Sequence, residues 1–595
     1  MLSSIYSNLQ SKFERIDFVD GLNVVVAEIR LPQNKEVDTH NLGKSTLGKL
    51  IDFGFLKQQR PDFFLYKHEE LFKDFVFFTE VKLGENSYLT LRRSVSQQSK
   101  ISFKAHKEPK QDFTNLPDEE WDHANLAFEK AVMTLDSYLG WTALGDWDFR
   151  KIIGYLLRAQ EDYTEVFKLR KFQSKDRDWK PFLAHILGFD GLQVSKHYEL
   201  EESVEAKKKE AEILRVELGG EHEDASKIEG LLLLKGREAA AKKADLEQFD
   251  FSEEDRRKSQ ELVGELDKTL AQFNNERYSL LSNQDRIKGA LSEGQINFVP
   301  EDAKKLFEEV GIYFDGQIKR DFEQLVQFNR ELTVERSKYL KEELAEVEAR
   351  IREVDTELAG LNARRQEALK FIGTKDFFDK YRALSEEYSE LRAELISLEL
   401  QRETLQKLQK SKTDLRELQD AEEVARRLVE DDVDQVVRNQ DSLFSSIRVF
   451  FNEIIEEIIS QKALIKVHPN SKGHLVFETE ILDSKNRPTS ADEGNTYKRL
   501  LCIAFDLALV RAHIGTKFPR FVFHDGVFEA TEERKREKLL KVVRDYAGFG
   551  IQYIITLVDT DMPPSQAGLP FEDAEIVLRL HDEGEDGLLF KMPAW

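Results

Sequence analysis

From about residue 195 to about residue 440 the chain is rich in Glu, Lys and Leu and contains one proline, Pro300. Proline removes a backbone donor and breaks helices, so a run of this length that avoids it reads as long surface helices. Within it, Leu340, Leu344, Val347, Ile351, Val354, Leu358 and Leu361 keep a strict four-three alternation, which lays one apolar seam along one helix face. The pattern returns at Leu384, Tyr388, Leu391, Leu395 and Leu398 and, past Arg402, at Leu405. Breaks at Gly360 and at Phe371-Ile372-Gly373-Thr374 predict a jointed arm. The earlier stretch, about 196–288, is less regular and is interrupted at Gly219-Gly220.

An antiparallel pair of helices needs a turn. The segment from Ile296-Asn297-Phe298-Val299-Pro300 through Tyr313-Phe314-Asp315-Gly316 is the candidate. The expected organisation is a first arm over 196–290, a tip or hinge over 291–330 and a second arm over 331–440. At ~1.5 Å per residue, arms of about 90–100 helical residues reach on the order of 140 Å. Separate long helices of a bundle are the alternative, and they would leave the heptads unexplained.

The flanks read differently. Residues 1–195 are mixed α/β, with β-rich runs at Phe75-Val76-Phe77-Phe78 and Tyr88-Leu89-Thr90-Leu91. Over 441–595 the same character returns, with strands expected at Ala463–Val467, His474–Phe477, Phe521–Phe523 and Tyr553–Leu557 and a helix over Tyr497–His513. A mean hydropathy of -0.52 and no apolar run near membrane-spanning length argue against a membrane span. The N-terminal stretch has no apolar core of signal-peptide length, and the one cysteine, Cys502, excludes an intramolecular disulfide framework and any CxxC zinc hook. The expected location is the cytoplasm. A formal charge of -24 disfavours indiscriminate nucleic-acid binding, without excluding a local basic groove.

Asn41-Leu42-Gly43-Lys44-Ser45-Thr46 follows a strand-like run, Gly21–Ala27, and precedes an apolar segment, Leu47–Phe55. A loop ending Gly-Lys-Ser/Thr at a helix start offers backbone N–H groups and the helix dipole to phosphates. Its lysine reaches the β- and γ-phosphates, and its hydroxyl holds Mg²⁺. The full Walker A pattern has a glycine where this chain has Asp38. An ordinary helix N-terminus with a surface lysine is the plainer reading.

In its order of parts the chain resembles the SMC/RecN-like branch of ABC ATPases over essentially its whole length. More narrowly it is similar to compact, hookless SMC-like ATPases of bacterial defence loci, the LmuB-type subunits of Lamassu anti-phage systems among them. Thr39–Thr46, His524-Asp525-Gly526-Val527-Phe528-Glu529 and Gln552–Leu557 carry that narrower likeness. It implies an α/β, split ABC-type head formed by N- and C-terminal lobes, with the antiparallel coiled-coil hairpin between them and ATP and Mg²⁺ as cofactors.

Asp525 follows an apolar strand, where a carboxylate can reach Mg²⁺ through water, the Walker B role. The family places a glutamate next to polarise the attacking water; here that position is Gly526. Glu529 is the nearest downstream carboxylate and the candidate base, provided a turn follows the strand at once; otherwise it caps the helix beginning at Thr531. Gln160, after the helix-like run Ile152–Leu157, resembles in its place the Q-loop glutamine that contacts Mg²⁺, an amide able both to accept and to donate; a surface glutamine near a helix end is the alternative. The signature loop corresponds to 490–496. Its acidic pair Asp492-Glu493 leaves Ser490, Gly494 and Asn495 as contacts to ATP on the partner subunit, with a plain N-cap as the alternative. The family's switch histidine is missing; the favoured reading is that the switch is absent or rewired, with Asp559 or Thr560 taking over as the alternative.

The densest basic run with interleaved aromatics spans 168–180. Lys168, Arg170, Lys171, Lys175, Arg177 and Lys180 are its candidate contacts to double-stranded DNA, through phosphates and not base edges. No nuclease constellation is present in the sequence. The expected function is an SMC-like ATP-driven clamp, a homodimer through ATP-engaged heads, that senses or holds DNA and regulates a nuclease-like effector with accessory subunits in anti-phage defence. A weakly hydrolysing, ATP-gated scaffold and a RecN-like repair ATPase are the alternatives.

Overall fold

The computed structural model describes residues 1–31, 42–97, 99–169, 175–218, 225–248, 253–293, 316–369, 375–489, 494–529, 531–564, 570–593 and 595. For 253–263, 290, 292–293, 316–337, 368–369 and 375–379 it describes the backbone alone. The chain divides into one compact unit of Met1–Glu202 with Asp420–Trp595 and another of Ser203–Gln419.

The first unit holds strands β1 (Leu2–Ser7), β2 (Ile16–Asp17), β3 (Leu22–Glu28), β4 (Val76–Gly84), β5 (Ser87–Ser94), β6 (Ile101–His106), β7 (His123–Leu126), β8 (Leu157–Arg158), β9 (Lys462–Pro469), β10 (Leu475–Leu482), β11 (Phe521–His524), β12 (Gln552–Val558) and β13 (Ile576–His581). Its central sheet has the order β13-β3-β12-β11-β8, with every neighbouring pair parallel. A parallel sheet is buried on both faces, which is why β3 (Leu-Asn-Val-Val-Val-Ala-Glu) and β12 (Gln-Tyr-Ile-Ile-Thr-Leu-Val) are nearly unbroken apolar runs. All of β12 is buried, and β3 is buried up to Glu28. The second sheet, antiparallel with the order β2-β1-β4-β5-β6-β7, comes entirely from the N-terminal residues.

Two buried amides tie these strands. Gln552 accepts from Leu2 N–H at 2.7 Å and donates to the carbonyls of Leu2 at 2.7 Å and Val19 at 2.9 Å. Asn23 accepts from Val19 N–H at 2.7 Å and donates to the carbonyls of Val19 and Gly21 at 2.9 Å. The expected strands at Gly21–Ala27, Phe75–Phe78, Tyr88–Leu91, Ala463–Val467, His474–Phe477, Phe521–Phe523 and Tyr553–Leu557 fall within β3, β4, β5, β9, β10, β11 and β12, apart from single end residues.

In the second unit, the helices Glu253–Glu293 and Gly316–Leu369 pack along the predicted seam. Val354, Leu358 and Leu361 meet Leu266, Leu270 and Phe273, while Val347 and Ile351 meet Ile287, Leu281 and Leu291. The pair is antiparallel, because ion pairs join Asp267 to Arg365, Arg277 to Asp355 and Lys288 to Glu348, one number rising as the other falls. Lys235–Glu394 at 2.8 Å and an ion pair between Lys242 and Glu387 link the helices Ala225–Glu247 and Lys375–Arg438 in the same sense.

The expected break at Gly360 is corrected: the helix Gly316–Leu369 runs through it. One helical glycine costs about 1 kcal/mol against alanine, and the seam residues Leu358 and Leu361 on either side repay it by burial. The second expected break, Phe371–Thr374, the break at Gly219-Gly220 and the turn over 296–315 lie outside the described residues. Among the described residues no helix is long and apolar enough to cross a membrane.

Replacing Gln552 by Leu orphans the buried N–H and C=O of Leu2, and a loss of about 2–4 kcal/mol in stability is expected; an unchanged thermal unfolding midpoint would refute the tie. Nothing lies within 4 Å of a Cβ added at Gly360. Gly360→Ala should therefore stabilise by about 0.5–1 kcal/mol, read as a higher unfolding midpoint of the arm.

Candidate functional site

In a parallel sheet the crevice at the C-terminal strand ends is where loops can assemble a ligand site. Four strands send loops or side chains there. The 42–46 segment follows β3 and opens the helix Lys44–Gly54, Asp525 directly follows β11, Thr556 lies in β12, and Gln160 follows β8.

Gly43 is the N-cap of that helix, at φ +104°. A Cβ there would fall 2.5 Å from Leu589 Cβ, so glycine is required both by the backbone conformation and by space. Leu589 N–H in turn donates to Leu42 O at 3.0 Å, seating the loop on a C-terminal segment. The Ser45 hydroxyl donates to Asp525 Oδ2. On the other side of that carboxylate, Thr556 Oγ1 donates to Oδ1 at 2.5 Å and accepts from Gly526 N–H at 3.0 Å. Asp525 is fully buried, with both carboxylate oxygens bonded to hydroxyls.

The turn on which Glu529 depended is present. Glu529 N–H donates to Gly526 O at 3.2 Å, and Gly526 adopts φ +65°. A Cβ at 526 would lie 2.6 Å from Glu529 Cδ, so the Glu529 carboxyl fills the place a side chain at 526 would take. Gln160 Nε2 donates to Glu529 Oε1 at 2.5 Å, and Lys44 Nζ stands 3.8 Å from the same oxygen. Arg499 lies 3.7 Å from Oε2. Burial raises the Glu529 carboxyl above its ordinary range, and Lys44 and Arg499 pull it back. The helix-cap reading of Glu529 is excluded. The following helix is Glu533–Gly548, its N-cap is Glu532, and no side chain caps it.

Behind Asp525 lies a buried charge network. Arg158 and Asp506 form a bidentate pair at 2.6 and 2.8 Å, both nearly inaccessible. The rest of the Arg158 guanidinium donates to the carbonyls of Asp162, Glu165 and Val166. Burial opposes the Asp506 charge, but Arg158 and then His524 hold the carboxyl below its usual range. Burial also lowers His524, keeping it neutral. Its Nε2–H then donates to Asp506 at 3.0 Å while the Tyr553 hydroxyl donates to Nδ1 at 2.5 Å. Asp525 N–H donates to Arg158 O at 3.0 Å, so the network orients the strand end that carries Asp525.

The structure thus brings together Gly43, Lys44, Ser45, Thr46, Gln160, Asp525 and Glu529. Gly494 and Asn495, both exposed, cap and open the helix Asn495–Ala512. Asn41 and Ser490 lie outside the described residues, as do Asp38, Arg170 and Lys171. In the basic run, Lys168 and Lys180 pair with Asp176 at 3.9 and 2.8 Å, Arg177 pairs with Asp178 and Glu202, and Lys175 is exposed. Asp559, one of the two candidates for the switch position, accepts from Ile29 N–H at 3.0 Å and Thr560 N–H at 2.8 Å. Sequence reasoning missed roles for Thr556, Asp506 and Arg499. Asp506 and Thr556 had a signal: each is a lone polar residue inside a buried apolar run. Arg499 had none.

Residues 454–594 match a family model described as "Uncharacterised protein conserved in bacteria (DUF2326)". No curated protein matches the chain. Among solved structures, the chain is similar at 12% identity and a TM-score of 0.34 to the Smc head domain with a coiled coil and joint from Pyrococcus yayanosii, over 94% of this chain and 92% of that one. It is similar at 10% identity and 0.30 to the Smc head domain with an extended coiled coil bound to the C-terminal domain of ScpA from Pyrococcus furiosus, over 94% and 90%. A third, the SmcHead bound to the C-winged helix domain of ScpA, aligns over 25% of this chain and 43% of that one, at 14% and 0.18. Scores this low settle no fold, and the site stands on its own residues.

Asp506→Asn leaves Arg158 buried and uncompensated, at an expected cost of about 3–5 kcal/mol. Because the folded Asp506 carboxyl is held low, its contribution is present above pH ~4 and fades as pH falls through the lowered value. Denaturant unfolding of both proteins should therefore give a gap near neutral pH that narrows in acid; a gap independent of pH would contradict the assignment.

Proposed function

We propose that this chain is an SMC-like ATPase that hydrolyses ATP at the crevice between β3 and β11. The observation that carries the reading is the meeting of Ser45 and Asp525, with Lys44, Gln160 and Glu529 around them. Their donor set suits Mg²⁺, a hard cation that takes a hydroxyl, a carboxylate and an amide oxygen together with waters. The αL glycine before Lys44 leaves the room a phosphate needs beside the backbone. Ser45 and Gln160 would hold the ion directly and Asp525 through water; when bound, it would neutralise charge on the phosphates.

Lys44, with backbone N–H groups of Asn41, Gly43 and Thr46, binds the phosphates. Phosphate oxygens compete with Glu529 for the Lys44 ammonium and free the carboxylate for an attacking water. Glu529 accepts that water's proton as its oxygen bonds to the γ-phosphorus and the bond to the bridging oxygen breaks. Its raised affinity for a proton suits a base in a site of low polarity.

Two such heads form a homodimer in which Ser490, Gly494 and Asn495 of one chain contact ATP held by the other; the exposed helix start at Gly494 and Asn495 supports this. ATP contacts available only in the engaged dimer shift the equilibrium towards engagement. Double-stranded DNA binds at Lys168, Arg170, Lys171, Lys175, Arg177 and Lys180, phosphates displacing the acidic partners of the paired ones, so this binding weakens steeply with salt. In the cytoplasm of a bacterium the clamp senses foreign or broken DNA and releases a nuclease-like effector with accessory subunits, in anti-phage defence of the Lamassu kind. RecN-like repair differs from this in biology and not in chemistry.

One observation favours the weakly hydrolysing scaffold: the Glu529 carboxyl is engaged by both Gln160 and Lys44. ATP turnover by the purified chain, with and without linear duplex DNA, separates the two. The ATPase reading expects DNA-stimulated turnover that falls about 100-fold or more in Glu529→Gln and is lost in Lys44→Ala. Tight ATP binding with no turnover in either condition would leave the scaffold as the better account.

A further inference from the structure

Arg499 is the fifth residue of the helix Asn495–Ala512, one turn past Asn495 and five residues past Gly494 in sequence. Its NH1 donates to Gly526 O at 3.0 Å and to Glu529 O at 2.5 Å, bracketing both ends of the turn that follows Asp525. Its NH2 stands 3.7 Å from Glu529 Oε2, and the guanidinium lies over the ring of buried Tyr163, 5.0 Å from its centroid. Tyr163 belongs to the 3₁₀ turn Gln160–Thr164, which also supplies the amide bonded to Glu529. The Arg499 side chain is 16% exposed, held between that turn and the Glu529 turn.

Of the groups around the Glu529 carboxyl, Lys44 is assigned above to phosphate and the Gln160 amide oxygen to the metal. Among the described residues, Arg499 meets both the carboxylate and the backbone carbonyls of the turn that carries it. An arginine suits this best, because its planar fork holds several acceptors in fixed directions, whereas a lysine ammonium is a compact charge on a flexible stem.

We infer that Arg499 is the positioning residue of Glu529, fixing the 526–529 turn so that the carboxylate stands over the phosphate site. The inference rests on the ATPase reading and deepens it. Because Arg499 lies one turn past Asn495 on the same face of that helix, a shift of the helix start on ATP held by the partner subunit moves the base in this chain's own site.

The test compares Arg499→Ala, Arg499→Lys, Glu529→Gln and the Arg499→Ala/Glu529→Gln double variant in the full chain. The readings are kcat and KM for ATP and the affinity of a fluorescent ATP analogue. Misplacing a base by about 1 Å costs on the order of 100-fold, so Arg499→Ala should lose roughly that in kcat. Affinity for the analogue should be unchanged, with partial recovery in Arg499→Lys. Since Arg499 acts through Glu529, the double variant should be no slower than Glu529→Gln alone. A further loss in the double variant, or affinity falling in step with kcat, would overturn the positioning role, as would an Arg499→Ala protein as fast as the wild type. A wild type that binds the analogue without turnover would overturn the ATPase reading itself, and the positioning role with it.

Discussion

The parallel pairing of β12 with β3 on one side and β11 on the other is the contact on which the candidate site depends. It sets Val25 beside Thr556 and Phe521 beside Gln552, so the strand after which Lys44 and Ser45 come and the strand that ends at Asp525 share one edge. Thr556, in the strand between them, then bonds Asp525 with its hydrogen and Gly526 with its lone pair. A shift of one residue in β12 would turn that hydroxyl to the opposite face and leave the buried Asp525 carboxylate short of a donor. The Gln552 amide at the start of the same strand guards against such a slip by binding Leu2 and Val19.

Charge is buried here at a cost that only good geometry offsets. Arg158 reaches Asp506 with two hydrogen bonds and three carbonyls with the rest of its donors, so little of its hydrogen-bonding capacity is wasted. His524 and Tyr553 extend the chain of bonds to β12. Such a network favours one arrangement over its neighbours more than it adds stability, and at the mouth of the candidate crevice a single arrangement is what matters.

How much of this was legible in the sequence follows from the range of each signal. The strands β3, β11 and β12 are local, apolar and short, and the heptad from Leu340 to Leu361 is a periodic pattern over many residues; both kinds of signal survive without tertiary knowledge. The Gly-Lys-Ser-Thr motif carries its own chemistry. Gly360 misled because a glycine's local penalty is overridden by burial on either side of it. Arg499 was invisible, since its partners are carbonyls of a turn 27 and 30 residues away, which no spacing rule encodes. Gly526 read as a loss at the position of a glutamate, whereas in three dimensions it is the vacancy into which Glu529 folds.

The central sheet draws β3 and β8 from one end of the chain and β11, β12 and β13 from the other, with more than two hundred residues between β8 and β9. On the ribosome β3 and β8 therefore emerge long before the strands they pair with, and they wait while the helical insert is synthesised. The apolar strand β3, unpaired for that interval, is a target for misassociation. The antiparallel sheet, complete within the first 126 residues, gives the nascent N-terminal part a partner of its own in the meantime. The crevice can form only after β12 has been made, and a translation product interrupted before Asp525 carries the Gly43–Thr46 segment without the carboxylate that meets Ser45.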